Sequence, residues 1–139
     1  MVYKGCFMSL SLDDNTLEGK KILVAEDDYA NQKVASMFLN KIGCNTEIAE
    51  NGQVAVEMVL EGDYDLILMD CRMPVMDGLE ATRQIRARET LRVPILAMTA
   101  NVDHQDKEKC FAVGMDGFIS KPVNLKKLQA SISELIFES

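Results

Sequence analysis

The sequence holds no tryptophan, one histidine, three prolines and four cysteines among 139 residues. The cysteines, Cys6, Cys44, Cys71 and Cys110, form no CxxC pair and have no histidine pair nearby, so no zinc or disulfide framework is expected. That usage fits a reducing, cytoplasmic location. No apolar run approaches the ~18 residues of a membrane span. The first residues, "MVYKGCFMSLSL", carry one lysine and no sustained apolar block, which is not the make-up of a signal peptide. Basic residues are in deficit, 15 against 22 acidic, for a net charge of −7. A general nucleic-acid or anionic-membrane surface needs a basic patch and is not expected. Glycine is missing after the first apolar run, where the chain reads "EDDYA". A phosphate cradle for a nucleotide or flavin needs glycines and free N–H groups there.

What is present is a hydrophobic fraction of 47%, enough for one packed domain. Short apolar runs at Lys21–Ala25 (KILVA), Leu66–Met69 (LILM) and Val93–Met98 (VPILAM) read as strands covered on both faces. Thr46–Ala49 and Gly117–Ser120 are shorter and more mixed, as less buried strands are. Helix-period stripes lie between them: Val34, Ala35, Phe38, Leu39 and Ile42; Ala55, Met58 and Val59; Leu79, Thr82 and Ile85; Leu125, Leu128, Ile132 and Leu135. The Asp103–Val113 stretch is the weakest helix. Gly43, Gly62 and Gly114 follow helical stretches and predict left-handed C-terminal caps, and Asn124 predicts an N-cap. Residues 1–19 carry no such period and read as a linker or extension, with the domain over 20–139. Strand and helix alternate five times, which predicts an α/β fold with a parallel sheet and helices on both faces.

In such a sheet ligands sit beyond the carboxyl ends of the strands. Those ends carry Glu26, Asp27 and Asp28; then Asp70; then Thr99; then Lys121-Pro122. If the first and third strands are neighbours, the carboxylates share one crevice. Like charges about 4 Å apart repel by ~4 kcal/mol at an effective dielectric near 20. A hard divalent cation such as Mg²⁺, which takes carboxylates, waters and phosphate oxygens, compensates them, and Lys121 adds a fixed positive charge.

The stretches "ILVAEDDYANQKV", "DLILMDCRMPVMDGLEATRQIR", "PILAMTAN" and "GMDGFISKPV", in that order and spacing, resemble the receiver domains of two-component response regulators, above all those of hybrid sensor histidine kinases. The resemblance implies the flavodoxin-like (βα)5 fold with strand order 2-1-3-4-5. It implies Asp70 as phosphoacceptor from phosphohistidine, Asp27 as a direct Mg²⁺ ligand, Glu26 acting through a water, and the Arg72 carbonyl completing the protein ligands. It further implies that Lys121 pairs with Asp70 and then with the phosphate, that Thr99 donates its hydroxyl, and that the Lys121–Pro122 bond is cis. Arg72 and Asn101 occupy the positions that set phosphate lifetime, and Phe118 the aromatic switch position coupled to Thr99, here without a hydroxyl. Asp28 stands where many such receivers carry asparagine. The implied partners are a histidine kinase or histidine phosphotransfer domain docking near Asn31–Phe38, with no nucleic acid, no membrane contact, and a monomer or weak dimer.

Other readings stand beside these. Asp70 also suits a turn, Glu26 and Asp27 a helix N-terminus, Thr99 an ordinary strand position, Lys121 a surface lysine and Phe118 a half-buried sheet aromatic. Asp77 and Gly78 read as turn chemistry, with the glycine serving a positive φ. Met73 and Met76 read as core or loop filling. His104 reads as solvent-exposed and in no phosphodonor setting. Two competing functions are an interaction module that takes no phosphate, which predicts loss of Asp70, Thr99 or Lys121, and an aspartate-nucleophile hydrolase of the haloacid dehalogenase type, which needs an aspartate where Arg72 stands. No output domain follows in this sequence, and the polar N-terminal stretch suggests a piece of a longer chain.

Overall fold

A computed structural model describes residues 16–100 and 103–137, the side chain of His104 excepted. Asn101, residues 1–15 and the expected exposure of His104 lie outside the described residues. Five strands alternate with five helices: β1 (Lys21–Ala25), α1 (Tyr29–Ile42), β2 (Asn45–Ala49), α2 (Gly52–Glu61), β3 (Leu66–Asp70), α3 (Gly78–Arg88), β4 (Ile95–Thr99), α4 (His104–Ala112), β5 (Gly117–Ser120) and α5 (Leu125–Phe137). The strands form one parallel sheet of order β2-β1-β3-β4-β5, the flavodoxin-like order.

Because side chains alternate along a strand, each apolar run feeds both faces. Ile22, Val24, Leu66, Leu68, Leu96 and Met98 pack against Ala35 and Leu39 of α1 and Leu128 and Ile132 of α5. Leu23, Ala25, Ile67, Met69, Ile95 and Ala97 pack against Ala55 and Val56 of α2, Ala81 and Ile85 of α3, and Cys110 of α4. Full burial of each aliphatic side chain contributes roughly 1.5–3 kcal/mol, so the three central strands are the main apolar support of the fold.

Several local readings change. Val34 is exposed, because the inward stripe of α1 centres on Ala35 and Leu39 and Val34 turns to the rim beside Pro122 and Val123. Gly43 and Gly114 do adopt positive φ, at 101° and 108°, but Gly62 is extended at φ −124°, a backbone angle open to any residue. Its N–H still closes the last turn of α2 on Met58 O. Leu17 falls in the stretch read as an extension, yet it is buried and accepts a contact from the Cys44 thiol through its carbonyl at 3.6 Å. The last residues of that stretch thus contribute to the α1–α5 face. Asn124 caps α5 as expected, accepting from the Lys127 N–H at 3.2 Å.

Away from the carboxyl ends of the strands, a polar network ties α3 to the start of β4 and the loop before β5. Arg86 donates through Nε to Gly114 O at 2.9 Å and pairs with Glu89 and Asp116, each at 2.8 Å. Asp116 Oδ2 also accepts from the Ile95 N–H at 2.8 Å, and Glu89 Oε1 from the Val93 N–H at 3.0 Å.

Candidate active site at the carboxyl edge of the sheet

The strand order sets β1 directly beside β3, with Ala25 opposite Met69, so the residues that follow β1 meet Asp70. Asp28 ends the turn after β1 by capping α1, accepting from the Asn31 N–H at 3.1 Å. Its own N–H donates to Glu26 Oε2 at 3.1 Å, and Gln32 Nε2 donates to the Glu26 carbonyl at 2.8 Å. These bonds hold the Glu26 side chain inward, where it is 1% exposed. Asp27, between them, points to solvent.

Asp70 is 5% exposed at the end of the central strand. Its Oδ1 accepts from the Arg72 N–H at 3.2 Å, and its Oδ2 lies 3.1 Å from Lys121 Nζ. Lys121 directly follows β5, precedes the cis Lys121–Pro122 bond and reaches Glu26 Oε1 as well, at 2.9 Å. Burial opposes its charge, but the hydrogen bonds and negative charge of Glu26 and Asp70 together outweigh it and raise the Lys121 pKa above the usual lysine range. The ammonium therefore stays charged at neutral pH.

One carboxylate oxygen from each of Glu26, Asp27 and Asp70 lies within 4.8 Å of the others. Three hard oxygen donors this close, two of them buried, repel one another, and Lys121 faces only two of them. The donor set fits a small divalent cation such as Mg²⁺, which prefers carboxylates and keeps further positions for water or phosphate.

Asp70, Cys71, Arg72, Thr99, Ala100 and Lys121 line a cleft of about 340 Å³. Thr99 is half-buried at the end of β4. Phe118 is half-buried on the edge strand, its ring edge-on to Phe111 at 6.0 Å between centroids and 77° between planes, with Lys107 Nζ 4.5 Å above it. Asp77 caps α3, accepting from the Glu80 N–H at 2.8 Å. Gly78 does not adopt a positive φ; the left-handed residue of this loop is Val75, at φ 70°. Gly78 is required for proximity instead, since a Cβ there would fall inside contact distance of the Asp70 carbonyl oxygen and 2.9 Å from Met69 Cγ. Gly78→Ala is expected to cost about 2 kcal/mol by overpacking and to displace Asp70, read as a lower urea midpoint and weaker Mg²⁺ binding.

The sequence reading brought Glu26, Asp27, Asp70, Thr99 and Lys121 to one edge, and they lie there. It missed the Glu26–Lys121 pair, 95 residues apart in the chain, and the approach of Cys71 Sγ to Cys110 Sγ at 3.7 Å. Burial, then the neighbouring Cys110, raises the Cys71 thiol pKa. No sequence signal fixed either distance; only the position of Cys71 next to Asp70 pointed there. A larger recess of about 640 Å³ opens near Tyr64, Arg88 and Leu91, away from the carboxylates.

Residues 22–133 match the response regulator receiver domain. The chain belongs to this family. The receiver is 45% identical over 116 residues to hybrid signal transduction histidine kinase B of Dictyostelium discoideum, covering 75% of this chain and 6% of that protein. It is 39% identical to histidine kinase 5 of Arabidopsis thaliana, covering 84% of this chain and 16% of that protein. It thus spans only a small part of the curated relatives it matches. Among solved structures, it resembles the receiver domain of a Pseudomonas aeruginosa sensor histidine kinase with a magnesium ion coordinated in its active-site cleft, at TM-score 0.80 and 42% identity over 85% of this chain and 98% of that one. It also resembles the co-crystal structure of the Saccharomyces cerevisiae histidine phosphotransfer protein Ypd1 with the receiver domain of its downstream response regulator Ssk1, at TM-score 0.80 and 35% identity over 87% and 91% of the two chains. Among the described residues, no helix is long and apolar enough to cross a membrane.

Proposed function

We propose that this receiver takes a phosphoryl group from a phosphohistidine onto Asp70. The observation that carries the reading is the buried Asp70 carboxylate, held between the Arg72 N–H and Lys121 Nζ and sharing a carboxylate cluster with Glu26 and Asp27. An Asp70 oxygen attacks phosphorus, the O–P bond forms as the N–P bond breaks, and the imidazole nitrogen keeps the electron pair and takes a proton. Mg²⁺, held by Glu26, Asp27, Asp70 and the Arg72 carbonyl, would neutralise charge on the transferring phosphoryl oxygens.

The remaining roles belong to the chain's own groups. The Arg72 N–H orients the attacking carboxylate. Lys121 moves from Asp70 Oδ2 to a phosphoryl oxygen, and Thr99, lining the same cleft, donates to another. In this reading Arg72 and Asn101 are the residues that set the phosphate lifetime, and Phe118 follows Thr99 in the switch. Supporting the choice of donor, α1 exposes Tyr29, Val34 and Met37, and Val34 and Asn31 line a hollow with Glu26 and Lys121 of the site, a surface for a histidine phosphotransfer domain or kinase. We place this domain in a cytoplasmic hybrid histidine kinase, as a monomer or weak dimer that contacts neither nucleic acid nor membrane.

Intact mass after incubation with acetyl phosphate tests the reading. A single phosphoryl group is expected, requiring Mg²⁺ and absent from Asp70→Asn. An unmodified wild type whose fold also ignores beryllofluoride would make the domain an interaction module instead.

A further inference from the structure

Cys71 and Cys110 have no place in phosphoryl transfer, yet their sulfurs lie 3.7 Å apart at the edge of the cleft. Cys71 follows Asp70 directly, and Cys110 lies on α4. Among the side chains described for α4, Cys110 is the one that is buried, while Phe111 and Lys107 of the same helix rest on the half-buried Phe118 ring of β5. Both cysteines line a groove of about 230 Å³ with Arg72, Thr99, Asp106 and Lys109, which gives a small molecule a route to the sulfurs. Among the described residues, groups of three or more metal-type ligands come down to the carboxylate cluster, and the thiols are outside it. A two-sulfur contact with solvent access and no third ligand suits a disulfide better than a metal.

We propose that Cys71 and Cys110 form a reversible disulfide by exchange with a low-molecular-weight disulfide such as oxidised glutathione, and that this bond slows phosphoryl uptake at Asp70. Cys71, the more exposed of the two, reacts first: its thiol gives its proton to water, which its raised pKa makes slow at neutral pH, and its sulfur attacks one sulfur of the small disulfide, forming a mixed disulfide and releasing one thiol. Cys110 then attacks the Cys71 sulfur and releases the second thiol. The two protein thiols give up two electrons and two protons, and the small disulfide takes up both. Bond formation requires closure from 3.7 Å to about 2.0 Å, and α4, with one buried anchor among its described side chains, can supply that movement. Cys71 shares a peptide bond with Asp70, and Asp70 takes its orientation from the Arg72 N–H on the other side of Cys71. A shift on the order of 1 Å in such a positioning loop is enough to slow the reaction roughly tenfold or more. This effect rests on Asp70 as phosphoacceptor, whereas formation of the bond does not.

The test is equilibration of the wild-type domain in glutathione buffers of rising oxidised fraction, followed by non-reducing peptide mapping, hydrogen exchange and acetyl phosphate uptake. A Cys71–Cys110 peptide, greater protection of α4 amides and roughly tenfold slower uptake are expected, all reversed by dithiothreitol. Cys110→Ser should lose the response to oxidation while keeping the uptake of the reduced protein. Absence of the cross-linked peptide, a persistent glutathione adduct on Cys71 alone, or cross-linking with unchanged uptake would overturn the proposal. If the reduced protein takes no phosphate at all, the Asp70 reading fails, and the disulfide is then judged by the cross-linked peptide and α4 protection: unchanged protection rejects it.

Discussion

Lys121→Met is expected to slow Mg²⁺-dependent phosphoryl uptake by about 10²–10³-fold, the usual loss when one fixed donor to the transition state is removed. The substitution also leaves Glu26 and Asp70, 1% and 5% exposed, facing each other without their shared cation. Breaking a buried pair from one side typically costs about 3–5 kcal/mol, and the 21% exposure of the Lys121 side chain puts this case at about 3. Mg²⁺ should therefore raise the urea midpoint of the variant more than that of the wild type, because the ion takes over part of the lost charge. A pH signature separates this from a packing defect. The Lys121 pKa is raised in the folded state, so its stabilising contribution is complete below the unfolded lysine value near 10.4 and fades as pH rises through the higher folded value. The wild type should lose that contribution at alkaline pH, and the variant has none to lose. Equal Mg²⁺ responses in the two proteins would show that Lys121 does not balance the carboxylates.

Asp116→Ala is expected to be the most destabilising of these substitutions, at about 3–4 kcal/mol, with little change in the carboxylate cluster. Asp116 accepts from Arg86 and from the Ile95 N–H, each at 2.8 Å, and also pairs with Arg92. Its removal leaves the Arg86 side chain, 14% exposed, short of one partner and leaves the first N–H of β4 without its acceptor. The check is a lower urea midpoint at unchanged m-value, alongside Mg²⁺ affinity close to that of the wild type.

Much of the architecture was legible because β1, β3 and β4 are covered on both faces, and such strands must be nearly continuous apolar runs. Their ends are legible for the same reason: the first polar residue after such a run lies at the carboxyl edge, which is how Glu26, Asp70 and Thr99 declare themselves. What could not be read was distance between elements. Periodicity says that α4 is helical, but the packing that brings Cys110 to Cys71, 39 residues away, is a property of the assembled sheet. Glu26 and Asp27 are adjacent and chemically alike, and only the bonds from the Asp28 N–H and Lys121 turn one inward while the other faces solvent. The glycine readings failed differently: Gly62 and Gly78 share a letter with Gly43, but neither needs a positive φ; Gly62 sits close against Met58 O and the Tyr64 ring, and Gly78 needs empty space beside the Asp70 carbonyl.

The Arg86–Asp116 network and the carboxylate cluster sit apart on the molecule, β4 running between Ile95, which Asp116 holds, and Thr99, which lines the cleft. Five residues of strand span roughly 13–17 Å, beyond the ~7–10 Å within which substitutions usually couple, and the hydrogen bonds and ion pairs described for the two groups share no residue. Charge changes near one therefore leave the other largely undisturbed. For protein engineering this means that substitutions around the cleft can be explored on their own, while robustness is adjusted separately at the network. Combined variants drawn from the two regions should show additive effects on stability.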